Sequence, residues 1–156
     1  MRSIPFCKFH GFGNDYIVIE RESVPDDADM SELARRICHR HTGAGADGVA
    51  VITKSERSDA DLVCEIINPD GSVAGFSGNG TRCAAAYAYY KQLWSRPDLR
   101  MKTLSGIKRF HLLTSEPAGF YTFEAEIGNP LFSPAEIPVN IRSRDRWCSV
   151  TRPSSA

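Results

Sequence analysis

With 156 residues the chain is long enough to bury a core and corresponds to one domain, or to half of a two-domain protein. Lys plus Arg equals Asp plus Glu at 19 each, a net charge of zero that argues against a nucleic-acid or anionic-membrane surface built on bulk charge. Hydrophobic residues make up 42%, ordinary for a soluble protein, and no apolar run approaches the roughly 20 residues needed to span a bilayer.

In chain order, Ile4–Phe9 and Tyr16–Glu20 read as two strands joined by a Gly-Asn-Asp turn. Asp29 with Glu32 three residues later forms a capping box for a helix over about 31–41. Leu33, Ile37 and Cys38 are its expected buried stripe, and Gly43 its expected end. Val49–Thr53 and Leu62–Ile67 are β-branched runs bounded by polar turns, hence strands. The turn Asn68–Ser72 leads into a short strand ending near Phe76, and a second helix is predicted from Gly80 to about Leu93. Its first three turns have almost no polar face, the mark of a helix surrounded by protein. Strands at Arg100–Thr103, Ile107–Thr114 and Phe120–Ile127 complete a meander. The simplest packing of these parts is an α+β fold, a mostly antiparallel curved sheet wrapped around one buried helix.

Residues 68–87 carry the chemistry. A tight polar turn passes through a glycine-spaced loop directly onto the apolar helix, gathering free backbone N–H groups where an anion can be held. Ser77 stands at the mouth of that site, where a nucleophile or base would sit, and Ser is also a preferred helix cap. Cys83 lies six residues further on, roughly 9 Å along the helix and on another face, so it reads as core. Cys7, Cys38 and Cys64 read as core filler too. An odd count of five cysteines without regular spacing, together with no signal-peptide core in Met1–Phe6, points to reduced thiols in the cytoplasm.

The stretch from Asn68 to Tyr87 resembles the active-site motif of the diaminopimelate epimerase family. The match falls at Asn68, Asp70, Gly71, Ser72, Gly78, Asn79, Gly80, Arg82 and Cys83. The segments Phe9–Tyr16 and Arg40–Gly48 resemble the family's other two motifs, the first of which usually ends in Asn-Asp-Phe. The resemblance implies a curved sheet or partial barrel around a central helix. It also implies a cofactor-free epimerase or racemase that moves a proton at an amino-acid α-carbon with two opposed cysteines, in lysine and peptidoglycan precursor synthesis. Asn14, Asn68, Gly78 and Asn79 are then substrate-binding residues, and Ser77 occupies the position of the first catalytic Cys. Asp15 and Asp70 are expected only to brace turns.

Two departures qualify the resemblance. A hydroxyl is far less acidic than a thiol, so a helix dipole alone does not make Ser77 a competent base near neutrality. The half of the family's fold that carries the opposing cysteine is absent, so turnover by residues 1–156 alone is not expected. The alternatives are a non-catalytic amino-acid-binding or vestigial half-domain, and a one-base Ser/Cys dehydratase-type variant. The expected partners are a small amino-acid substrate and, through an apolar cleft face, a second copy of the chain in a homodimer; nucleic acid and membrane are not expected. Residues 1–139 read as the epimerase-like domain. Residues 140–156, rich in Arg and Ser and without periodicity, read as an atypical tail that a changed frame, a truncation or a lineage-specific extension would each produce.

Three other patterns are discounted. Gly43–Gly48 spells the dinucleotide fingerprint G-x-G-x-x-G, but a helix precedes it and a strand follows, the reverse of what that fingerprint needs. Cys38-His39-Arg40-His41 gathers metal-ligand types without the partner cluster a zinc site requires, and reads as a solvated helix end. Lys108-Arg109 reads as an exposed strand position.

Overall fold

The computed structural model describes residues 3–126 and 128–130, and the elements follow the predicted order. They are β1 (Cys7–Gly11), β2 (Asn14–Glu20), α1 (Met30–Cys38), β3 (Gly48–Lys54), β4 (Leu62–Ile67), β5 (Val73–Ala74), α2 (Gly78–Tyr90), β6 (Asp98–Thr103), β7 (Gly106–Glu116) and β8 (Phe120–Glu126). One sheet runs β1-β2-β3-β4-β6-β7-β8, with β5 added to β4. The β2–β3 and β4–β6 pairs are parallel and the rest antiparallel, which bears out the mostly antiparallel reading.

The sheet has two occupied faces, and strand periodicity decides which residues serve each. Tyr16 and Val18 of β2, Ala50 and Ile52 of β3, and Leu62, Cys64 and Ile66 of β4 pack toward α2, joined by Leu99, Met101 and Phe110. Ile17, Ile19, Val49, Val51 and Ile67 point to the other face, toward Ala34 and Cys38 of α1. Strands covered on both faces need no polar side, which is why β2 and β3 are near-continuous apolar runs.

α2 packs against β1, β2, β3, β4 and β8. Because β1 and β8 lie at opposite ends of the strand order, the sheet must curl around the helix to bring both to it, as a half-barrel. Gly80, Thr81, Cys83, Ala84, Ala85, Ala86, Tyr87 and Ala88 are buried, as the apolar sequence of this helix requires. The small residues let the strands come close, and the Tyr87 hydroxyl donates to Glu20 Oε1 at 2.7 Å, tying the helix to the end of β2.

Several boundaries differ from the sequence reading. β1 begins at Cys7 rather than Ile4, because pairing runs only from Cys7↔Val18 to Gly11↔Asn14. A two-residue turn closes that hairpin, with φ of 56° at Phe12 and 85° at Gly13, the double positive φ of a type I′ turn. α1 is capped as expected, Asp29 Oδ1 accepting from Glu32 N at 3.0 Å, but it ends at Cys38. Leu33 and Ile37 are half-buried; Ala34 and Cys38 take the inner positions. Gly43 does not extend the helix. Instead residues 39–46 fold back so that the N–H groups of Gly43, Gly45 and Ala46 donate to the carbonyls of His39, Ile37 and Cys38. α2 starts two residues earlier than predicted, since Ser77 is its cap, and ends at Tyr90, with Gln92 in the left-handed region at φ 57°. The end of the last predicted strand at Ile127, the boundary at 139, the tail 140–156 and Cys148 lie outside the described residues.

The fold-back loop tolerates no side chain at Gly43. A Cβ there would overlap the carbonyl oxygen of Arg36 and lie 2.6 Å from that of Ile37, both backbone atoms that cannot step aside. Gly43→Ala is therefore expected to lower stability by about 1–3 kcal/mol, read as a lower midpoint in urea denaturation; an unchanged midpoint contradicts this account of the loop.

Candidate functional site

The start of α2 is built as a binding edge. Ser77 leaves the helix with φ −134° and ψ 119°, and its Oγ accepts from Gly80 N at 3.1 Å. The first intrahelical bond runs from Thr81 N to Ser77 O at 2.9 Å. The N–H groups of Gly78 and Asn79 find no acceptor among the described residues, so two donors of the first turn remain for a ligand. The positive end of the helix dipole adds to them.

A chain of polar contacts holds this edge. Asn14 Oδ1 accepts from Asn79 Nδ2 at 3.1 Å, bridging positions 65 residues apart, and Asn79 Oδ1 in turn accepts from Arg82. Asn14 Nδ2 donates to Asp47 Oδ2 at 3.0 Å, which also accepts from Asp15 N at 3.0 Å. Arg40 closes the network, its Nη2 lying 2.7 Å from Asp15 Oδ1 and 2.6 Å from Asp47 Oδ1, while Lys8 Nζ lies 2.7 Å from Asp15 Oδ2. All three matched motifs thus meet at one place. The loop Gly11–Gly13 borders it, with Arg82 over the ring of Phe12 and Phe12 itself 98% exposed.

The structure brings together Asn14, Ser77, Gly78 and Asn79 of the expected site residues. Asn68 is occupied elsewhere: its Nδ2 donates to Ser72 Oγ at 3.0 Å and its N–H to Ser72 O at 2.8 Å, so its side chain braces its own turn. Asp70 accepts from Ser72 N and Oγ, and these bonds hold its carboxyl below the usual range. Asp15 braces as expected, but across three segments rather than within one turn. Tyr16, Arg40, Asp47 and Arg82 were given no role by sequence reasoning. Each lies inside a matched motif, and that membership was the available signal.

Burial holds three of the described thiols protonated near neutrality. Cys83 is buried in the core cluster, and burial pushes its thiol up to about 12 in spite of neighbouring Arg82; Cys64 is likewise pushed up to about 12. Cys38 is raised to about 11, again mainly by burial. Cys7 is half-buried and, with Cys83, lines a groove of about 1050 Å³ between β1 and β8. His39 is committed to its loop, Nδ1 meeting Thr42 Oγ1 at 2.8 Å. Lys108 is half-buried rather than exposed, its ammonium 5.0 Å from the Phe76 ring.

The sequence model described as diaminopimelate epimerase matches residues 6–127. The chain is 39% identical over 137 residues to a diaminopimelate epimerase of Alkaliphilus metalliredigens (strain QYMF), covering 88% of this chain and 47% of that protein. It is 41% identical over 134 residues to one from Caldanaerobacter subterraneus subsp. tengcongensis, covering 86% and 47%. The chain therefore spans about half the length of the curated relatives it matches. Among solved structures it is similar in fold to a methylitaconate-delta-isomerase, with TM-score 0.60, 18% identity and coverage of 72% and 35%. It is also similar in fold to a hydroxyproline epimerase from Agrobacterium vitis, with TM-score 0.59, 17% identity and coverage of 74% and 39%.

The ion network gives a pH signature. The hydrogen bond from Arg40, helped by Lys8 and opposed by burial, holds the Asp15 carboxyl well below the ordinary carboxylate range. Its folded pKa lies below its unfolded value of about 3.9, so its contribution is complete above that value and fades as pH falls through the folded pKa. Urea midpoints between pH 7 and pH 3 are expected to fall for the native chain and to fall less steeply for Asp15→Asn. Equal slopes would show that the network contributes nothing.

Proposed function

This chain belongs to the diaminopimelate epimerase family, and from that premise we propose that residues 3–126 form one wall of a site for proton transfer at an amino-acid α-carbon. The whole protein's proposed activity is cofactor-free interconversion of LL- and meso-diaminopimelate, serving lysine and peptidoglycan precursor synthesis in the cytoplasm. The observation that carries this reading is the pair of uncommitted N–H groups at Gly78 and Asn79, held in place by the Asn14–Asn79 contact. Losing an α-proton leaves a carbanion beside a carboxylate, and the stabilisation must be electrostatic. A helix start that binds the carboxylate also takes up the charge that develops on it. Gly78, Asn79 and Asn14 serve that anion, with Asn68 contributing through the turn it braces.

Ser77 supports a second reading for the chain taken alone. Its oxygen already caps α2 and meets the Tyr16 hydroxyl, and no thiol is available to act as base from that position. On that reading the half-domain binds an amino acid without turning it over, and a one-base Ser/Cys dehydratase-type reaction is the catalytic variant. The proposed partners are a small amino acid and a second copy of the chain, the latter supported by the exposed Phe6, Phe12 and Phe120. Among the described residues no helix is long and apolar enough to cross a membrane.

Titration calorimetry with LL- and meso-diaminopimelate is the test. The native chain is expected to bind, and Asn79→Ala and Asn14→Ala to bind about tenfold more weakly, because each removes the side-chain contact that holds the two N–H groups in place. In deuterium oxide the chain alone is expected to exchange the α-proton no faster than buffer. No binding of either isomer, or equal affinity in the variants, sinks the carboxylate site.

A further inference from the structure

Two glycines from different motifs form a slot for one ring. Gly48 stands opposite Tyr16 in the β2–β3 register, and a Cβ there would lie 2.6 Å from Tyr16 Cε1. A Cβ on Gly80 would lie 2.8 Å from the same atom and 3.0 Å from Cζ. Side chains do not approach so closely, so Tyr16 lies between two bare stretches of backbone, 5% exposed. The slot carries its hydroxyl to the first turn of α2, 2.9 Å from Ser77 Oγ. Neither glycine is required there by a positive φ, as neither has one. The close approach of the ring, joined at Gly80 by Ile66 Cδ1 at 2.8 Å and at Gly48 by the Ile67 carbonyl oxygen at 3.1 Å, is what excludes a side chain.

A serine hydroxyl has one proton and two acceptor sites. Gly80 N–H fills one acceptor site of Ser77. A phenol is a better proton donor than an alkyl alcohol, so the Tyr16 hydroxyl fills the other. The proton of Ser77 is then its only hydrogen-bonding function left, on the cap residue that directly precedes Gly78 and Asn79. We propose that Tyr16 is a positioning residue that donates to Ser77 and so fixes Ser77 as a hydrogen-bond donor toward a carboxylate at the start of α2. This rests on the carboxylate-site reading above and deepens it. Ser77 serves as a third donor to the anion and not as the base. The step is hydrogen bonding only; no bond to carbon or oxygen is made or broken.

The hydrogen bond is tested without a ligand. Ser77→Cys is made in the full chain with Tyr16 intact and with Tyr16→Phe, which keeps the ring that fills the slot. Alkylation of the introduced thiol by iodoacetamide is followed by peptide mass spectrometry as a function of pH. A hydroxyl donor stabilises the thiolate, so Tyr16→Phe is expected to raise the midpoint by about 0.5–1 pH unit, or to slow alkylation about 3–10-fold below it. An unmoved midpoint overturns the role of Tyr16, whatever the ligand result.

The consequence for Ser77 is tested by titrating LL-diaminopimelate. Tyr16→Phe is expected to weaken binding about fivefold, one hydrogen bond's worth. Tyr16→Phe combined with Ser77→Ala is expected to bind like Ser77→Ala alone, since Tyr16 acts through Ser77. Losses that add overturn that dependence. Failure of the native chain to bind sinks the carboxylate site, a result distinguishable from an unmoved thiol midpoint.

Discussion

The fold depends on one constraint: α2 has almost no polar face and must be enclosed. A sheet alone covers one side of a helix, so the strands curl until β1 and β8, the two ends of the order, both reach it. Alanines and glycines along α2 set how tightly the strands wrap, and bulk is supplied from outside by Ile52, Ile66, Leu99, Met101 and Phe110. Wrapping leaves the helix open at its ends and along the groove between β1 and β8. The N-terminal end, with its uncommitted donors, faces the β1–β2 turn and the loop before β3, so the buried helix and the binding edge are two aspects of one packing solution.

The polar network around that end performs a different task from the core. Asp15, Asp47, Arg40 and Lys8 are surface or half-buried charges, and exposed pairs of this kind add little to stability one by one. Their value is geometric. Asp47 accepts from Asn14 and from the backbone of Asp15 while Arg40 spans both carboxylates, so the hairpin turn and the glycine-rich loop are fixed to each other. Asn14 in that fixed turn then sets the side chain of Asn79 on α2. A donor at a helix start can hold an anion only if it does not move with the ligand, and this network supplies that rigidity.

Replacing a thiol by a hydroxyl at position 77 changes what the same geometry does. The cap, the free N–H groups and the dipole remain, because they need only an acceptor oxygen and a helix start. What is lost is a group whose proton leaves near neutrality. Among the described residues, burial raises the thiols of Cys38, Cys64 and Cys83. On the proposed reading the described half holds an anion and does not itself supply the base.

The sequence by itself determined the element order, the enclosed helix, the capping of α1 by Asp29 and a helix start with free N–H groups beside Ser77. Each of these is written in local spacing: a 3.6 or 2 residue period, a capping residue, a glycine at a turn. Element ends were less legible, because they are set by partners; α1 stops at Cys38 only because the following loop folds back onto its carbonyls. Only the tertiary structure decided that Asn14 meets Asn79, that Asn68 is turned to Ser72, and that Gly48 and Gly80 serve a ring from a third segment. The reason is physical. Those contacts join residues separated by a whole strand, loop or helix, and their geometry exists only after the sheet has curled around α2.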